Sequence, residues 1–327
     1  MKVLYVTKPG SKIHVHRGTV YLKCNGEEIV ITPDYNQLII ASSGIGITSK
    51  AIRKLAYMGI DVVFLDPYGT PIARIYPPFI NKTVNTRVMQ YKFIVVEGRG
   101  LEIAKEIIYC KLYNQASLLK YFAKIYREPV YRDIGYEVEA IADELYSIPF
   151  NELSEEKIMA YESYGARQYW GVVSSILPDN LGFNGRDPDS SDPFNMALNY
   201  GYGILYGIVE KSLLLAGLDP YLGFLHTLKS GKPSLTLDFI EMFRQACVDK
   251  PLIINAKNID FELIAGKLSY ETRRAIAKYV LDQLDKKHYY YKVSKKIELS
   301  KIILSEAWDL AKALRMKTMY RGFKVMY

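Results

Sequence analysis

The sequence predicts an α+β chain: a small β-rich N-terminal domain over residues 1–78, followed by a larger all-α domain over residues 79–327. Three observations carry this reading. Short β-branched runs follow one another at close spacing through the first 75 residues, punctuated by turn residues. Beyond Tyr76-Pro77-Pro78-Phe79 the apolar spacing changes to a helical period. A length of 327 residues is enough for two domains, and no internal repeat or low-complexity tract divides it otherwise.

The elements follow in order. Val3–Val6, Lys12–His16, Thr19–Lys23, Glu28–Ile31 and Gln37–Ala41 read as strands, with turns at Gly18, Asn25-Gly26 and Pro33-Asp34. Thr48 or Ser49 caps a helix over Lys50–Met58, and Gly59 ends it. Asp61–Leu65 is a strand of the buried type, and Gly69-Thr70-Pro71 turns into Ile72–Ile75. After the break, Leu101, Ala104, Ile107, Ile108, Leu112, Leu119 and Phe122 line one side of a long helix. Further helices are expected at 133–147, 154–177, 195–216, 235–247, 269–289 and 299–314. The Gly- and Pro-rich stretch from Pro178 to Pro193 is a loop between two of them.

Composition narrows the function classes. Hydrophobic residues at 49% and charged residues at 24% exclude a disordered tail protein and a disulfide mini-scaffold. Cys24, Cys110 and Cys247 form no close pair, which excludes a Cys-based zinc knuckle and a CxxC redox site. The first residues lack a signal-peptide core, and the most apolar stretch, Ile204–Leu218, is interrupted by Glu210 and Lys211. A soluble, cytoplasmic protein without a membrane partner is expected. The net charge of +8 suits a polyanionic partner, but its distribution says more. Residues 1–85 carry +5, residues 151–255 carry −5 and residues 256–327 carry +8. An acidic segment inside a basic protein is either a solvated face or a set of metal-binding carboxylates working beside a polyanion.

Four histidines are present. His14 and His16 share one strand face with no carboxylate near them in sequence, so an exposed face is the plainer reading. His288 reads as a solvated or phosphate-facing position. His226 precedes Asp238 and Glu241, which lie at i and i+3 on one helix face. Those two carboxylates repel unless a cation lies between them or water solvates them, and Arg244 is placed to pair with Glu241. Glu162 is a third carboxylate, flanked by Ser163, Gly165 and Ala166, which allow close helix contact. Glu162, His226 and Glu241 together would offer two hard oxygen ligands and one imidazole, a set that Mg²⁺ or Mn²⁺ accepts. Arg167, Arg186 and Arg244 flank these motifs as phosphate contacts or as ion-pair partners. The tract Lys286–Lys296 interleaves Lys286, Lys287, Lys295 and Lys296 with tyrosines, as either a DNA-backbone surface or a solvated connector.

The motifs together resemble the integrase family of CRISPR adaptation, Cas protein one, over nearly the whole chain. The residues that carry the resemblance are Arg87–Tyr91, Lys111–Gln115, Glu162–Trp170, Arg186, Asp192–Asn195, Leu198–Leu205, Gly217–Pro220, Gly223–His226 and Asp238–Arg244, followed by Val248-Asp249. The resemblance implies a DNA endonuclease and integrase that joins spacer 3′-hydroxyl ends to a CRISPR repeat by phosphodiester transesterification. It implies Mg²⁺ or Mn²⁺ as cofactor, held by Glu162, His226 and Glu241, with Asp238 as a further ligand or an orienting group. It implies DNA as substrate, a homodimer through the N-terminal domains, and the small second adaptation protein, Cas protein two, as partner. Tyr320-Arg321-Gly322-Phe323 departs from the family's tail pattern. A non-catalytic nucleic-acid adaptor and a metal-dependent nuclease of branched DNA or RNA in repair are the alternatives. A tyrosine recombinase is disfavoured because no Arg and His cluster surrounds a tyrosine.

Overall fold

The structure is a computed structural model, and it describes residues 2–75, 84–225 and 232–327. The N-terminal part holds β1 (Lys2–Val6), β2 (Lys12–His16), β3 (Thr19–Cys24), β4 (Glu27–Ile31), β5 (Tyr35–Ile40), β6 (Gly46–Ile47), α1 (Ser49–Tyr57), β7 (Asp61–Leu65) and β8 (Pro71–Ile75). One sheet runs β1-β5-β7-β8, with β1, β5 and β7 parallel and β8 antiparallel. The other runs β4-β3-β2-β6. The Thr48 hydroxyl accepts the Ala51 N–H at 3.2 Å, the N-cap expected for α1.

Alternation along β5 decides how this region attaches. Leu38 and Ile40 face a small core with Ile13, Val20, Leu22, Ala51 and Leu55. Ile39 and Ala41 face the opposite way, with Val63 and Leu65, into the core of the helical region. The first sheet is therefore covered on both faces, which its near-continuous apolar strands require.

The helical region comprises α2 (Val84–Tyr91), α3 (Gly100–Tyr126), α4 (Pro129–Ser147), α5 (Glu155–Ile176), α6 (Pro193–Ala216), α7 (Ser234–Ile240), α8 (Lys250–Ile254), α9 (Tyr270–Asp285) and α10 (Leu299–Met316). Two hairpins join it: β9 (Leu263–Ile264) with β10 (Lys267–Leu268), and β11 (Lys287–Tyr290) with β12 (Lys295–Glu298). Helix α6 is buried along most of its length and forms the axis of the region. The Asp192 carboxylate caps its first turn by accepting the Asn195 N–H at 2.8 Å. Among the described residues no helix is long and apolar enough to cross a membrane.

The fold class expected from the sequence is the one observed. Two helix boundaries are corrected. The expected helix 235–247 stops at Ile240, turns through Glu241–Phe243, and continues as a wide turn over Gln245–Asp249. The wide turn brings Gln245 and Asp249 inward together, where both are buried. The expected helix 269–289 ends at Asp285, because His288-Tyr289-Tyr290 favour the pleated geometry and pair with Lys295–Ile297. The expected boundary, Tyr76–Phe79, lies outside the described residues.

Polar contacts fix the first sheet to α6. Gln37 donates to Asp61 at 2.7 Å and to the Gly207 carbonyl at 3.2 Å. Arg74 binds Asp61 at 2.7 and 2.8 Å and also pairs with Glu210. The segment before β8 and helix α6 touch at two glycines. Gly69 has φ of +90°, and a Cβ there would lie 2.6 Å from the Tyr200 Cα. A Cβ on Gly203 would overlap the Gly69 carbonyl. The obstacle is backbone, so Gly203→Ala is expected to destabilise by about 3 kcal/mol in denaturant unfolding. Gly171→Ala, on an open helix face with nothing within 4 Å, is expected to stabilise by about 0.5–1 kcal/mol. Equal stability of the two variants would contradict this packing.

Candidate metal centre

Helix α3 places four residues on one face: Ala104, Ile107, Ile108 and Lys111. They meet Glu162 and Met159 from α5, Asp238 from α7, Glu241 from the turn after it, and Leu225, around a cavity of about 120 Å³. The Lys111 ammonium donates to Glu162 at 2.5 Å and lies 2.6 Å from Glu241. Arg244 pairs with the other oxygen of Glu241 at 3.0 Å. Burial disfavours the Lys111 ammonium, but Glu241 and then Glu162 outweigh that and raise its pKa. The same balance, with Glu241 as the largest favourable partner, raises that of Arg244.

Two carboxylates from distant parts of the chain thus aim at one cationic point. They present hard oxygen donors at contact distance from a single positive charge, which is the arrangement a divalent ion requires. Among the described residues no set of three His, Cys, Asp or Glu side chains is placed to hold an ion. His226 lies outside the described residues. Its predecessor Leu225 lines the cavity.

Asp238 takes a different position from Glu162 and Glu241. Its carboxylate is 2% exposed and accepts the backbone N–H groups of Phe224 at 2.6 Å and Leu225 at 3.0 Å. It therefore clamps the segment that leads into His226. Gly223 fits beneath it, since a Cβ there would come within 2.7 Å of the Asp238 oxygen.

Arginines gather beside the carboxylates. A cavity of about 530 Å³ is lined by Glu162, Arg167, Trp170, Arg186 and Arg244. A second, of about 780 Å³, shares Arg186, Tyr202 and Arg244 and adds Arg74. Arg186 is aimed by Asn195 at 2.9 Å and Asn199 at 2.6 Å. Arg244 lies 4.4 Å from the centroid of the Tyr202 ring. Tyr202 and Tyr169 donate to the buried Asp249 at 2.6 and 2.9 Å. Asp249 thus anchors a column of Tyr202, Arg244 and Glu241. From the sequence, Glu241 and Arg244 are expected at the site, whereas Lys111, Arg74, Tyr202 and its anchor Asp249 are not. The signal for Lys111 was its place in the apolar stripe of α3, where a lysine needs a buried partner.

The basic tract folds as the β11–β12 hairpin. Lys286, Lys287, Lys295 and Lys296 are exposed, and Lys287, Tyr289 and Lys296 share its outer face. Lys292 turns inward to Glu306 at 2.8 Å and Asp309 at 3.0 Å. His288 is not a phosphate-facing cation. Burial first, then Lys250 and Lys286, lower its pKa to about 4. His14 stacks on Tyr21 and stands 4.0 Å from Glu28, while His16 is exposed.

Two stability measurements follow. Lys111→Met leaves Glu162 facing Glu241 and is expected to cost about 3 kcal/mol at neutral pH, against no change if the ammonium is incidental. His288 is neutral in the fold, whereas the unfolded chain takes up its proton near the ordinary value of 6.5. Its contribution is complete above pH 6.5 and is lost as pH falls toward about 4. His288→Gln is therefore expected to remove on the order of 3 kcal/mol of acid sensitivity between pH 7.5 and 4. An unchanged acid slope would contradict the burial assigned to it.

Known proteins match this chain closely. The profile of the family CRISPR associated protein Cas1 matches residues 4–281. The CRISPR-associated endonuclease Cas1 of Hyperthermus butylicus is 40% identical over 99% of this chain and 98% of its own. Among solved structures, a casposase bound to integration product matches with a TM-score of 0.85 and 26% identity, covering 98% of this chain and 93% of that one. A chain of a Cas6-RT-Cas1–Cas2 complex matches with a TM-score of 0.78 and 19% identity, over 100% of this chain and 36% of that one, which is a likeness of fold. With a family match over most of its length and a relative at that identity, the chain belongs to the Cas1 family.

Proposed function

We propose that this chain is the integrase of CRISPR adaptation, a metal-dependent DNA endonuclease that joins spacer 3′-hydroxyl ends to the repeat by phosphodiester transesterification. One observation carries the proposal. Glu162 and Glu241, far apart in sequence, converge on a single cationic point beside an arginine-lined cavity. The casposase match, a protein bound to integration product, supports a joining reaction.

Glu162, Glu241 and His226 would hold Mg²⁺ or Mn²⁺, with His226 in its neutral form as a ligand requires. The bound ion would supply positive charge at the reacting phosphodiester and lower the cost of ionising the attacking hydroxyl. The chain's own residues do the rest. Asp238 holds the segment before His226 by its two backbone contacts. Arg244 restrains one oxygen of Glu241, and the other lies on the Lys111 ammonium. Arg186, held by Asn195 and Asn199, presents its charge to phosphate in the adjoining cavity, with Arg167 at its rim. No protein nucleophile is required. Burial pushes Cys110, Tyr169 and Tyr202 well above their ordinary values, so none is ionised at neutral pH.

The wider partners follow from the same reading. The DNA backbone crosses the basic surface, with Lys286, Lys287, Lys295 and Lys296 as its outlying contacts. Cas2 is the protein partner. A homodimer forms through the N-terminal sheets, where edge strand β4 exposes Ile29 and Val30.

The test is strand transfer with purified chain, Cas2, a short DNA duplex, a repeat-containing plasmid and Mn²⁺. Glu162→Ala and His226→Ala are expected to abolish joining while DNA affinity persists, and Glu241→Gln to be nearly as severe because it keeps shape but loses charge. Joining at the normal rate by Glu162→Ala would overturn the site. Unchanged affinity and salt slope after reversing the four lysines to Glu would remove the hairpin from the DNA surface.

A further inference from the structure

Helix α3 has a second working face. Glu106, Tyr109 and Tyr113 lie opposite the face of Ile107, Ile108 and Lys111, about half a turn around the helix. They line a separate cleft of about 440 Å³, closed by Tyr146 from the end of α4, Tyr291 after β11, and Arg321 and Lys324 of the C-terminal segment. That volume lies in the range of small-molecule sites and accommodates one nucleotide.

The walls are rings and cations. The Tyr109 and Tyr146 centroids are 4.6 Å apart, and those of Tyr109 and Tyr113 are 6.4 Å apart. The Lys324 ammonium lies 5.2 Å from the Tyr109 centroid and 5.0 Å from that of Tyr113. The Arg321 guanidinium lies 5.4 Å from the Tyr146 centroid. Among the described residues Lys324 has no carboxylate partner, and its half-exposed ammonium rests on the Tyr109 and Tyr113 rings. Glu106, at the floor, is already engaged by the Gly322 N–H at 2.8 Å and by Arg321 at 3.6 Å. Its charge is therefore answered inside the protein. Tyr291 donates to the Gly322 carbonyl at 3.1 Å and ties the C-terminal segment in place, so the cleft is preformed. Burial pushes the Tyr109 phenol up to about 12, so its hydroxyl stays neutral beside an anion.

We propose that this cleft binds an unpaired nucleotide of single-stranded nucleic acid, the base against the Tyr109 and Tyr113 rings and the phosphate against Lys324 and Arg321. Ring faces stack any base, and a cation resting on a ring moves readily to a phosphate that arrives beside it. The cleft lies on the far side of α3 from Glu162, so its occupancy depends neither on the metal centre nor on catalysis.

The test uses full-length protein without divalent metal and a fluorescein-labelled thymidine 20-mer, followed by anisotropy at several salt concentrations. The Tyr109→Ala/Tyr113→Ala double variant is expected to bind about tenfold more weakly, while Tyr109→Phe/Tyr113→Phe keeps wild-type affinity. Lys324→Ala is expected to reduce the salt slope by about one. A 5-iodouracil oligonucleotide is expected to cross-link to Tyr109 or Tyr113 on irradiation, which decides the matter if the alanine variant does not fold. Wild-type affinity in the alanine variant overturns the proposal, as do cross-links confined to the Glu162 cavity. Competition by free thymidine monophosphate at the oligonucleotide's own affinity also overturns it, by assigning the cleft to mononucleotides.

Discussion

Two carboxylates drawn out of bulk water cannot remain side by side without positive charge between them. Much of this molecule is arranged around that constraint. Glu162 comes from α5 and Glu241 from a turn that follows α7, and each has one oxygen on the Lys111 ammonium. The lysine is itself out of place in an apolar stripe, and only these partners keep it charged there. Neither side of the arrangement is stable alone, so helices α3 and α5 and the turn after α7 are held in register by charge as well as by packing.

The surroundings make that register rigid. Asp249, fully buried, orders Tyr202, on which Arg244 lies, and Arg244 fixes the far oxygen of Glu241. Asp238 holds the backbone of the neighbouring segment. The C-terminal residues also belong to this framework. Phe323 is buried and its centroid lies 5.5 Å from that of Phe243, while Tyr320 donates to Glu306 at 2.8 Å. A departure from the family's tail pattern at 320–323 therefore leaves a segment that packs as core. The N-terminal sheet is joined to α6 closely enough that two glycines meet backbone to backbone. Arg74, from that sheet, reaches the cavity that Arg186 and Arg244 share.

The sequence was most readable where one signal dominated. Strands β1–β5, β7 and β8 and the long helix α3 follow from period and turn residues, and the cap at Thr48 lies where hydroxyl chemistry puts it. Charge by segment separated the acidic stretch containing Glu162, Asp238 and Glu241 from the basic C-terminal part. Three things were not readable. The turn at Glu241 and the wide turn after it depend on buried side chains at 245 and 249 finding tertiary partners, which local pattern does not encode. His288 had the sequence context of a surface cation, and only its packing shows that it is neutral. Lys111 and Arg74 join the site through contacts between distant segments, and for Arg74 no local feature marks it.

Diffraction from a crystal grown with Mn²⁺, measured at the manganese absorption edge, tests the proposed centre most directly. An anomalous peak is expected within coordination distance of a Glu162 oxygen, a Glu241 oxygen and the His226 imidazole. A peak bound elsewhere in the molecule, or none at these carboxylates with the ion in excess, would contradict it.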